Sequence, residues 1–169
     1  MTTKTRNRLP ARRKVWPLLN PIVIAMDGAA ALTLAQISTA LQPAEHALRV
    51  LQFGAFGLPS WRALADTFNV AEALAGLNIA SDHLDKFEAA QAILAALMAR
   101  HTTHHTWAAR ALELQTMKDA LYIHEIQLNA CCQLELERAV QTVTRRCAQA
   151  LAGNAGAGVA VLAGLEATA

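Results

Sequence analysis

His101, His104 and His105 form an H-x-x-H-H stretch. On a helical turn His101 shares a face with His104 or His105, and imidazoles so placed can bind zinc, nickel or copper. No carboxylate or cysteine lies close in sequence to complete the shell, so the stretch reads as a polar turn. His124, Cys131 and Cys132 are more coherent. His124 and Cys131 are seven apart and share a helix face, and thiolate with imidazole is zinc chemistry. Positions 124 and 132 also fall on an apolar stripe, where cysteine behaves as a small hydrophobe. A core role is therefore expected for both, with no metal and no cysteine nucleophile. Glu135 and Glu137 diverge on a helix and make no acid/base pair. Gly153, Gly156 and Gly158 lack the preceding strand and following helix of a phosphate loop. No serine-centred hydrolase motif occurs. These observations predict a chain that is not an enzyme, with no catalytic residue and no cofactor.

Charge supplies the other candidate site. Lys4, Arg6, Arg8, Arg12, Arg13 and Lys14 have no acid among them. The stretch 1–14 is thus formally +6, while the remainder, with nine basic and thirteen acidic residues, is −4. A basic arm on an acidic body can hold nucleic acid through phosphates, weakly and without sequence preference. Arg138, Arg145 and Arg146 form a second, weaker basic group, diluted by Glu135 and Glu137.

The elements that must position these groups read as helices throughout. Ala dominates the composition, and strand-like runs are almost absent after Ile24. From Trp107 to Leu151 there is neither Pro nor Gly. Leu114, Met117, Leu121, Leu128, Cys132, Leu136, Ala139, Val143 and Cys147 recur at helical spacing there. This predicts one long helix, or two collinear ones broken near 129–133. Unbroken, it would span roughly 65 Å, more than a small body can cover, which predicts self-association. Upstream, Pro21–Met26 forms a short helix, and Pro43 splits 32–53 into two pieces. Pro59 or Ser60 opens a helix to about Leu77, with Trp61, Leu64, Ala65, Phe68, Ala71, Leu74 and Ala75 as its stripe. Asn78 caps its end, and Ser81 caps a further helix to Arg100.

The expected fold is therefore all-α: a small helical bundle packed along one long C-terminal helix. Residues 1–16 are a disordered basic tail, 17–151 the helical domain, and 152–169 a disordered Gly/Ala-rich tail. Within this scheme Trp16-Pro17-Leu18-Leu19 docks the basic tail to the body. Three cysteines, two adjacent, fit no disulfide framework and point to a reducing cytoplasm. The basic start invites an export-signal reading, but Asn20, Pro21 and Asp27 interrupt the apolar stretch behind it. That stretch is also too short to span a membrane.

Several stretches occur in a suggestive order: Leu19-Asn20-Pro21, NVAEALAGLNI (69–79), AAQAILAAL (89–97), IHEIQL (123–128) and ELERAV (135–140). In this succession, over 19–143, the chain resembles a group of small uncharacterised proteins of proteobacterial phages, plasmids and integrated elements, some labelled Fis-type regulators. The resemblance implies no catalytic residue. A helix-turn-helix needs a short turn, and 129–133 contains no Gly and no good cap. The expected function is a non-enzymatic interaction or regulatory protein of a mobile genetic element, with an unknown protein partner or a second copy. A nucleic-acid-binding regulator using the basic arm is the alternative, and a His/Cys metalloprotein a minor one.

Overall fold

The computed structural model describes residues 28–152. Five α-helices follow in order: α1 (Leu34–Gln52), α2 (Leu58–Ala75), α3 (Leu84–His104), α4 (Ala111–Ala130) and α5 (Gln133–Leu151). A 3-10 turn, Ser81–His83, precedes α3. No strand forms among the described residues, and the fold is all-α as the composition predicts. The basic stretch and the short helix expected at Pro21–Met26 lie outside the described residues, as does nearly all of 152–169.

The organising element is α2, not the C-terminal segment. It touches each of the other four helices. Its stripe residues Trp61, Leu64, Phe68 and Leu74 are fully buried. Trp61 also donates its indole N–H to the Leu94 carbonyl of α3 at 2.9 Å, so the largest core side chain leaves no donor unpaired. Gly57 is extended and Pro59 sits in the first turn, where a missing N–H costs nothing. At the other end Asn78 turns left-handed (φ 66°) and Ile79 N–H caps the Leu74 carbonyl at 3.1 Å.

Three local expectations are corrected. Pro43 does not split α1. Ile37, Leu41, Ala44, Ala47, Leu48 and Leu51 are buried on both sides of it, on one continuous face. Packing of that face outweighs the roughly 3 kcal/mol that an internal Pro costs a helix. Ser81 does not cap α3; it opens the 3-10 turn, and the N-cap position is His83 with no side-chain bond. Finally, α3 runs past Arg100 to His104 and ends with His105 at φ 52°. Thr102 bonds back to the Met98 carbonyl at 3.0 Å, and Arg100 clamps Glu113 of α4 at 2.8 Å, which fixes the extended last turn.

The long segment is not one helix. Cys131 and Cys132 are both extended, with ψ of 156° and 167°. They are held there by two contacts. Cys132 pairs as an isolated antiparallel bridge with Ala31, and Gln133 N–H donates to the Ala30 carbonyl at 3.0 Å. A cap does exist: Glu135 accepts from Cys132 N–H at 2.8 Å, completing a capping box whose first residue is a cysteine. At about 1.5 Å per residue each of the two helices is roughly 30 Å long, which a small domain can match. The argument for self-association from an overlong helix therefore loses its premise.

The junction is braced by Gln127, which is fully buried. Its amide nitrogen donates to the carbonyls of Ala71 (3.1 Å) and Ile79 (2.8 Å), tying α4 to the end of α2 and the turn after it. Gln127→Ala would strand the Ile79 carbonyl and remove a second bond to the Ala71 carbonyl. It is expected to lower the unfolding free energy by about 2–4 kcal/mol, read from denaturant midpoints at unchanged m-value.

Candidate functional site

A trough runs between α1, α2 and α5. Its upper part, about 650 Å³, has Ala40 and Pro43 of α1 on one side, Leu58, Ala63 and Val70 of α2, and Leu136 and Val140 of α5 opposite. Its floor is made by His124 and Leu128 of α4, both buried. A second hollow of about 540 Å³ shares Asp66, Val70 and Val140 with the first, and continues along α5 past Val143 and Cys147 to Leu151. The trough exists because α5 is only lightly covered. Ala139 is its one fully buried residue, while Val140 and Leu151 are 45% and 59% exposed.

The polar groups are few and each has a defined state. The two carbonyls facing the Gln127 amide can only accept, so its nitrogen faces them and its oxygen faces His124. His124 Nδ1, 3.1 Å from that oxygen, therefore carries the proton. His124 lines the trough, and with the proton on Nδ1 the neutral ring keeps Nε2 as an acceptor. Burial pushes the His124 pKa down from 6.5, against a smaller upward pull from the Gln127 bond. On the α2 wall, desolvation raises the Asp66 carboxyl, partly offset by Arg62. The result is an apolar channel with one acceptor on its floor and an Arg/Asp pair on its wall.

Of the histidines and cysteines weighed as metal ligands by spacing, only His124 lines the trough. His101 stacks on Trp107 with ring centroids 4.1 Å apart, and Trp107 meets Phe56 edge-on at 5.4 Å. This ties the end of α3 to the loops before α2 and α4. His124 bonds Gln127 rather than either cysteine. The Cys131 thiol is pushed up to about 11 by burial, with Glu135 and Cys132 adding to the effect. It is a protonated core thiol, not a nucleophile or a ready ligand. Among the described residues no three His, Cys, Asp or Glu side chains converge as a metal site. Arg146 pairs with Glu72 of α2 at 3.1 Å, while Arg138 and Arg145 are exposed. Lys4, Arg6, Arg8, Arg12, Arg13 and Lys14 lie outside the described residues.

Sequence reasoning missed the trough. The signal was present as a second stripe on α2, Pro59, Ala63, Thr67 and Val70, offset from the stripe that fills the core. No helix among the described residues is long and apolar enough to cross a membrane. No family model matches the sequence, and no curated protein or solved structure matches it either.

The state of His124 has a consequence for stability. Its folded pKa lies below the unfolded 6.5, so between the two values the unfolded chain binds more protons. Stability is thus complete above 6.5 and falls as the pH drops towards the folded value, at about 1.4 kcal/mol per unit of depression. Urea midpoints measured from about pH 8 to about pH 5.5 should decline in the wild type, and His124→Gln should remove most of that slope.

Proposed function

We propose that this chain is a non-enzymatic interaction protein of a mobile genetic element. Its working surface is the trough along α2 and α5, which takes an amphipathic helix of a protein partner. The observation that carries this reading is the lightly covered apolar face of α5 beside a channel of about 650 Å³ that no described residue fills. A groove walled by helices is suited to a helix presenting apolar residues at i, i+3, i+4 and i+7. From Leu136 to Leu151 the channel runs about 22 Å along α5, the length of four helical turns. Arg62 and Asp66 offer orientation at the wall. A second copy supplying the helix would give a homo-oligomer. The resemblance to mobile-element proteins supports a bacterial cytoplasmic setting.

The basic stretch supports a second, subordinate activity. Six cations without an acid favour weak phosphate binding, indifferent to base sequence.

Two measurements check these readings. Affinity capture from the native host, with nuclease treatment, is expected to retain a protein partner on the wild type and on the control Leu112→Glu. Leu112 is 78% exposed and outside the trough. Val140→Glu should lose that partner at least about tenfold, the equivalent of about 1.4 kcal/mol. Equal capture by Val140→Glu would remove the trough from consideration. For the arm, the log–log salt slope of DNA binding should be about −3 to −4 in the full chain, and a chain starting at Val15 should bind far less.

A further inference from the structure

We propose that the resting occupant of the trough is this chain's own segment Trp16–Met26, which a partner helix must displace. This rests on the trough being the interaction surface and adds its regulation. The segment, WPLLNPIVIAM, has no charged side chain among its eleven residues and carries seven large apolar ones. Left in water such a stretch is costly, and the trough offers it an apolar channel of about 650 Å³ on the body.

The path of the chain delivers one to the other. Gly28 lies against α5: a Cβ added there would come within 3.3 Å of Leu134 Cβ. The Ala30 carbonyl is bonded to Gln133 N–H at 3.0 Å, and Ala31 bridges Cys132. The N-terminal segment therefore leaves the described body at the first turn of the helix that forms one trough wall. Leu136 and Val140 lie only about 5 and 11 Å further along that helix. Eleven residues span about 16 Å as helix and up to about 36 Å extended, enough to line the upper channel in either form.

Chemistry and concentration also agree. His124 lines the floor and its Nε2 has no hydrogen-bond donor among the described residues, and the segment brings two side-chain donors, the Trp16 indole and the Asn20 amide. A tether of a few residues gives an effective concentration in the millimolar range. At micromolar protein the chain's own segment outcompetes the same segment of a second copy, and any free partner helix must bind more tightly to replace it. Docking would also bring the basic stretch 1–14 to the rim of the trough, so displacement would release the arm together with the segment.

The test uses the full chain, the double variant Ile22→Asp/Ile24→Asp, and each with Val140→Glu added. In the wild type, methyl NOEs should link Leu19, Ile22 or Ile24 to Val70, Leu136 or Val140. In a mixture of differently labelled chains these NOEs must be intrachain. The dye anilinonaphthalene sulfonate should bind the double variant about tenfold more tightly than the wild type, as expected when the open form goes from a tenth to nearly all of the population. Val140→Glu should abolish the gain, with near-ultraviolet dichroism showing that all variants keep their packing. NOEs between chains, NOEs to another face, or no NOEs from the segment would each overturn the proposal on the wild type alone. Equal dye affinity for wild type and double variant, lost in both with Val140→Glu, would overturn self-masking while leaving the trough as a binding surface. Dye binding indifferent to Val140→Glu would sink both.

Discussion

One buried amide determines how this small protein is assembled. Gln127 has no contact with water, and both of its amide N–H donors and its carbonyl oxygen are bonded within the protein. Two of its bonds end on the final turn of α2 and the loop beyond it, so the register of α4 against α2 is set to within a hydrogen-bond length. Apolar packing alone would tolerate sliding by a fraction of a turn; a buried amide facing two carbonyls does not, because each lost bond leaves a group that water cannot reach. That register fixes where α4 ends, and so where Cys131 and Cys132 must carry the chain across to α5. It also fixes the tautomer of His124, which lines the trough.

The division of labour between α2 and α5 follows from how apolar side chains are spread around each. In α2 they occupy more than one face, which is why a single helix can meet all four others. In α5 they form one stripe, Leu136, Ala139, Val143 and Cys147, with Val140 at its edge, and only Ala139 is completely covered. The helix is held by its N-terminal bridge to Ala31, the Arg146 pair with Glu72, and one partly filled seam. It is bound firmly at the start and loosely along its length, the arrangement that leaves a channel rather than a filled interior.

Much of the fold was legible in the sequence, and what was not has physical causes. The stripe of α2 was legible because Trp61, Leu64, Phe68 and Leu74 repeat with helical spacing and face one core. Pro43 misled because its local cost is certain, whereas the compensating burial of Ala44, Ala47 and Leu48 is tertiary. The break at Cys131–Cys132 falls in the 129–133 window that the sequence offers as one of two alternatives, and the choice between them was hidden for a similar reason. Nothing in 129–133 is a strong breaker, and the residues that hold it open, Ala30 and Ala31, are about a hundred positions away. His124 was read as a core group, which it is, yet its orienting partner Gln127 gave no signal, since a lone Gln on an apolar face looks like a surface residue. The trough was illegible because a stripe of Pro59, Ala63 and Val70 shows that a face is apolar, not whether any neighbour covers it.

The bridge between Ala31 and Cys132 bears on how the protein is born. Its two halves are separated by about a hundred residues, and α1 likewise packs on α4. At about 5–20 residues per second, the ribosome needs roughly 5–20 s to synthesise the second half after the first has emerged. During that interval the inward face of α1 has no α4 to rest on. Contacts so distant along the chain also close slowly once both halves exist. Nascent chains should therefore depend on a holding chaperone until α4 leaves the exit tunnel, and a message truncated before Ala111 would yield an aggregating fragment rather than a smaller working domain.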